Sequence, residues 1–108
     1  YLSGKYRDNQ IPKNSRIGLF GNFWTRYKED NAKRAVDDYY KLANENGLTL
    51  TQMSLAFVNS RPFMTSNIIG ATTMEQLKEN IGTVDIDLSD EIIEKINLIH
   101  SNNPNPTP

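Results

Sequence analysis

Cysteine is missing altogether from these 108 residues. That absence excludes a disulfide framework, a thiolate metal site and a cysteine nucleophile together. It is compatible with a cytoplasmic location, which is the expected compartment. A single histidine, His100, leaves no second imidazole for a His-rich metal site or a histidine relay. No apolar run approaches the ~20 residues that a bilayer crossing needs, so no membrane span is expected. The charged opening is followed by no apolar stretch, so a signal peptide is not expected either. Net charge is nearly absent too, at −1, and nucleic acid is a poor fit as partner. Hydrophobic residues make up 37%, low for a self-sufficient globule but well above a disordered chain.

What charge there is lies unevenly. Between Tyr1 and Lys28 stand six bases (Lys5, Arg7, Lys13, Arg16, Arg26, Lys28) against Asp8 alone, a balance of +5. From Pro62 onward, Lys78 and Lys95 stand against seven acids, a balance of −5. Such asymmetry suits an opening segment that faces an anion such as a phosphate. A solvated loop kept soluble by its charges would look the same.

The opening, Tyr1 to Tyr27, reads as loop. It contains Gly4, Pro12, Gly18 and Gly21 and the aromatics Phe20, Phe23, Trp24 and Tyr27, which follow no helical or strand period. Long loops of this kind are often functional. A helix is expected from about Asn31 to Asn46, because Ala32, Ala35, Val36, Tyr39 and Ala43 form one apolar stripe, with Gly47 as its left-handed terminator. A second helix is expected from Thr51, as N-cap, to Ser60, ended by Pro62. Thr65 to Gly70 is a short β-branched run that reads as a buried strand, the one strand expected in the chain. A lone strand cannot satisfy its own backbone, so its partner is either the Tyr1–Tyr6 segment or a larger sheet. A third helix is expected from about Thr73 to Val84, with Met74, Leu77, Ile81 and Val84 on one face and two overlapping capping boxes, Thr72 with Glu75 and Thr73 with Gln76. The fourth runs from Asp90 to Ser101 behind Ser89, with Leu88 and Ile93 placed as a hydrophobic staple. The proline-spaced tail 102–108 should be extended.

Chemistry concentrates where the expected strand turns into the third helix. A helix N-terminus offers unpaired amides and partial positive charge to an anion. Gly70 would let a ligand approach the backbone, and Thr72 adds a hydroxyl. Gln76, Glu79 and Asn80 follow on one side of the helix, spaced to hydrogen-bond a purine or ribose. A strand–turn–helix with a solvated polar face has the same pattern, and the residues alone allow both. Lys5 and Arg16 could add charge if the basic loop folds over this turn. In a (β/α)8 barrel the phosphate site is commonly built from the loops after strands 7 and 8 and a helix N-terminus.

The stretch from Gly70 through Thr72, Thr73, Gln76 and Asn80 to Ile81 resembles the cofactor segment of the aldo-keto reductases, especially the branch containing the potassium-channel β-subunits. Ser3-Gly4-Lys5-Tyr6 resembles the segment after the family's seventh strand. Leu55–Val58, Arg61-Pro62-Phe63 and Leu88–Glu91 resemble its last helices. The resemblance implies an α/β fold: the C-terminal third of a (β/α)8 TIM barrel, mostly helical, with residues 1–28 as cofactor and substrate loop, 29–101 as last helices and last strand, and 102–108 as tail. It implies that Lys5 and Arg16 hold the pyrophosphate or 2′-phosphate of NADP. Gly70, Thr72 and Gln76 would then lie along the turn near the adenosine phosphate, and Glu79 and Asn80 at the adenine. NAD is left open, because Gln76 stands where many members carry arginine. The family's catalytic Asp, Tyr, Lys and His come from earlier strands, so no catalytic residue is expected here, and His100 is not that histidine. The implied partners are a small carbonyl substrate, an oligomer or a channel. The implied activity is hydride transfer to aldehydes or ketones. A regulatory redox-sensing subunit on the same fold is one alternative, and a free-standing helical interaction module is another.

Overall fold

The computed structural model describes residues 1–21 and 29–107. Phe23, Trp24 and Tyr27 of the aromatic cluster, with Arg26 and Lys28, lie outside the described residues. The elements are a 3-10 turn at Arg7–Asn9, α1 (Arg16–Phe20), α2 (Asp30–Glu45), α3 (Leu50–Asn59), α4 (Met74–Gly82), a 3-10 turn at Thr83–Asp85 and α5 (Asp90–Asn102). No helix among the described residues is long and apolar enough to cross a membrane.

The apolar stripe of α2 does what its period requires. Ala32, Ala35, Val36 and Ala43 are buried, and Leu42 joins them. Gly47 follows with φ +69°, the left-handed geometry that ends a helix without a Cβ penalty. The core is Val36, Leu42 and Ala43 of α2, Leu50 and Met53 of α3, and Ile96 of α5. Met53 is 2% exposed and is the largest side chain fully enclosed. Thus α2 packs on both α5 and α3, and α3 also packs on α4 and the Thr83–Asp85 turn. Ser89 caps α5 by accepting from the Ile92 amide at 3.4 Å.

Four expectations need correction. The N-cap of α3 is Thr49, not Thr51. Thr49 Oγ1 accepts from the Gln52 amide at 3.1 Å, and the Gln52 side chain accepts from the Thr49 amide at 2.9 Å, a complete capping box. The opening is not all loop, for it contains α1, capped by Ser15, which accepts from the Gly18 amide at 3.1 Å. Gly18 is obligatory there, since a Cβ would stand 2.4 Å from the Pro12 carbonyl oxygen.

The third correction is the strand. Thr65–Gly70 is extended chain, Ile68 is 96% exposed, and no strand is present among the described residues. A strand exists only when a neighbour takes its backbone hydrogen bonds. The Tyr1–Tyr6 segment cannot serve, because it folds on itself through Gly4 N–H to Tyr1 O and Arg7 N–H to Gly4 O, both 3.1 Å. The fourth concerns the apolar face read along α4, which does not pack on the core. Met74, Ile81 and Val84 are exposed, and Asn80 and Thr83 are buried instead. The polar side is the one that meets α3: Thr83 Oγ1 donates to the Asn80 carbonyl at 2.6 Å and accepts from Asn59 Nδ2 at 3.4 Å.

Candidate functional site

The turn into α4 is built from its own side chains. Thr73 is the N-cap, and its Oγ1 accepts from the Gln76 amide at 3.2 Å. The return bond of the expected capping box is displaced by one residue: Gln76 Oε1 accepts from both the amide and the hydroxyl of Thr72, at 2.9 and 3.0 Å. Glu75 does not pair with Thr72. Its carboxylate takes its own backbone amide and then the Thr73 hydroxyl, which together lower its pKa. The turn into α4 therefore already satisfies three amides with side-chain oxygens: Thr72 by Gln76, Glu75 by its own carboxylate and Gln76 by Thr73. An anion arriving here would replace these oxygens.

Behind the turn, buried Asn80 holds it in shape, its Nδ2 donating to the Gly70 carbonyl at 3.1 Å. Gly70 itself has open space above it, since a Cβ would meet nothing within 4 Å. Neither the chain's packing nor a positive φ demands glycine at this position. A glycine with no internal reason fits a ligand laid against the backbone. Gln76, Glu79 and Asn80 do not share one environment: Gln76 is exposed, Glu79 half-buried and Asn80 buried.

Glu79 leads to the rest of the site. Its Oε1 accepts from Thr49 Oγ1 at 2.5 Å, tying α4 to the first turn of α3. The next residue, Leu50, is where the basic loop meets the same helix, because a Cβ on Gly4 would stand 3.8 Å from Leu50 Cδ2. The two sequence-distant halves of the candidate site thus rest on adjacent residues, Thr49 and Leu50. Sequence reasoning missed Thr49 as the joint, although the Thr49-x-x-Gln52 box was the signal that marks it. Lys5 and Arg16 are both exposed. Lys5 Nζ lies 5.3 Å from the Tyr6 ring centroid, and among the described residues it makes no hydrogen bond or ion pair with Gly70–Asn80. Arg16 is the first residue of α1. Phe20 is exposed at the other end of that helix. His100 is exposed in the last turn of α5, away from this turn in the chain.

The described residues form helices layered on one another, with an extended run entering a capped helix through a glycine turn. Comparison with known proteins gives the particular family. The sequence model of the Aldo/keto reductase family matches residues 1–100, and the chain belongs to that family, whose fold is the (β/α)8 barrel. It is 40% identical over 107 residues to "Protein tas" of Escherichia coli (strain K12), covering 99% of this chain and 31% of that protein. It is 34% identical over 110 residues to the "Probable voltage-gated potassium channel subunit beta" of Oryza sativa subsp. japonica, covering 98% of this chain and 34% of the relative. An "Aldo-keto reductase" of Babesia bovis is 36% identical over 103 residues, covering 92% of this chain and 36% of that protein. The chain spans about a third of the length of these relatives.

Proposed function

We propose that this chain is the C-terminal third of an aldo-keto reductase barrel and forms the cofactor-gripping part of a protein that reduces aldehydes or ketones. NADP would supply the hydride, and NAD remains the second candidate. Lys5 and Arg16 would hold the pyrophosphate or 2′-phosphate. Thr72 and Gln76 would meet the adenosine phosphate, with Gly70 giving room for close approach. Glu79 and Asn80 would serve the adenine. Residues 1–28 would act as the cofactor and substrate loop, and the extended run Thr65–Gly70 would complete a barrel sheet. Acid and base groups would come from the rest of the barrel. A cytoplasmic location goes with this reading.

The observation that carries the proposal is the common seat of the two halves: Gly4 beside Leu50 and Glu79 bonded to Thr49. Family membership supplies the cofactor class. The test is NADPH titration of the intact protein by fluorescence, alongside the Lys5→Ala and Arg16→Ala variants. Each lost hydrogen bond to a charged group is worth about 1.5–3 kcal/mol, so affinity should fall about ten- to a hundredfold per variant. Unchanged affinity in both variants would overturn the assignment. The channel-subunit relatives favour one second reading, a regulatory subunit that binds NADPH and turns it over poorly. Consumption of NADPH with simple aldehydes separates the two.

A further inference from the structure

We propose that Tyr6 is a positioning residue for an anion-binding unit of Lys5 and Arg16: its ring lies beside Lys5, and its phenolic hydroxyl holds the first turn of α1, which carries Arg16. The inference rests on the cofactor reading above and adds a residue that does not itself touch the anion. Tyr6 OH accepts from the Ile17 amide at 3.3 Å, and Ile17 is the residue after Arg16 in the first turn of α1. The same ring lies 5.3 Å from Lys5 Nζ. One side chain therefore lies beside the ammonium of one cation and bonds the backbone next to the other.

The bracket is fixed on both sides. Tyr6 stacks on Tyr1, with ring centroids 5.8 Å apart. The next residue, Arg7, is locked onto α2: its Nε donates to Asp37 Oδ1 at 2.7 Å, and its guanidinium lies 3.5 Å from the Tyr40 ring centroid. Burial pushes the Tyr6 hydroxyl's pKa up, but hydrogen bonds with Ser15 and Ile17, helped by Lys5, bring it below the ordinary tyrosine value. Long cationic side chains lose rotamer freedom when they grip an anion, and holding their backbone beforehand reduces that cost.

The experiment is a double-mutant cycle on the intact protein, with Kd for NADPH and for NADH as the readouts. Tyr6→Phe keeps the ring and removes only the hydroxyl. It should weaken binding about three- to tenfold, the effect of one lost hydrogen bond. In an Arg16→Ala background the same change should move Kd less than about twofold, because the cation that the hydroxyl positions is gone while the ring beside Lys5 is kept. Equal losses in both backgrounds would show that Tyr6 acts only on general stability and would overturn the inference. A loss seen with NADPH alone supports positioning of the 2′-phosphate contact. A loss seen with both cofactors supports positioning of the pyrophosphate contact. If Tyr6→Phe melts non-cooperatively, Ser15→Ala, which removes both the α1 cap and a Tyr6 partner, carries the same cycle with the same outcomes. An intact wild-type protein that binds neither cofactor would defeat the underlying reading instead, which keeps the two failures distinct.

Discussion

One threonine hydroxyl joins the candidate site to the core, and its removal can be worked through in energy. Thr49 Oγ1 accepts from the Gln52 amide at 3.1 Å and donates to Glu79 Oε1 at 2.5 Å. Losing an N-cap costs about 1 kcal/mol. A hydrogen bond to a carboxylate reaches about 1.5–3 kcal/mol when sheltered, but this pair is solvent-accessible and should contribute about 0.5–1 kcal/mol. Thr49→Ala should therefore cost about 1.5–2 kcal/mol. Thr49→Ser keeps both bonds and should stay within about 0.5 kcal/mol of wild type.

Thr49→Asp separates the two roles. A carboxylate caps α3 well and gains from the helix dipole, yet it cannot donate to Glu79 and repels it. This variant should lose stability, and adding Glu79→Gln should return it, because an amide donates where a carboxylate repelled. The assay is urea unfolding of the intact protein, read as a shift in midpoint at constant m. If Thr49→Asp proves as stable as wild type, the α3–α4 bond contributes nothing and the joint between the two halves of the site is not where we place it.

Ile68, 96% exposed here, lies on the run assigned to a barrel sheet. In the intact protein Ile68→Lys should destabilise by more than about 2 kcal/mol, as burying an unpaired charge does. A change within about 0.5 kcal/mol would mark an ordinary surface position and contradict the barrel assignment. At the far end of the chain, Lys95 Nζ bonds Glu91 Oε1 at 2.7 Å, and that bond, then the charge itself, lowers the Glu91 pKa. The pair's stabilisation is present above the ordinary carboxylate range and is lost as pH falls through Glu91's lowered value. Glu91→Gln should accordingly melt below wild type at pH 7, and the gap should close in acid. A gap independent of pH would show that the pair does not act through charge.

The helices were legible because their hydrogen bonds are local. An Ala32/Ala35/Val36/Ala43 stripe with Gly47 behind it needs no distant partner to declare itself, and α2 follows it within a residue at each end. α1 escaped notice because five residues make too short a period to read. Its one marker was Ser15, whose capping role emerges only when the Gly18 amide is seen to point at it. The strand at Thr65–Gly70 fails for the opposite reason. Its composition fits a sheet, but sheet bonds belong to pairs of segments, and the described chain offers it no second strand.

The same reasoning accounts for α4. Along α4 and the 3-10 turn after it, the apolar Met74, Ile81 and Val84 face outward, while Thr83 bonds Asn59 of α3 and the Asn80 carbonyl, and buried Asn80 bonds the Gly70 carbonyl. A helix evolved for this chain alone would have the two faces exchanged, since burying apolar surface is the main driving force for helix packing. The exposed apolar face and the unpaired extended run beside it are the two surfaces a barrel would cover. The turn between them, with Gly70 open and Asn80 holding its carbonyl, is the part the chain completes by itself.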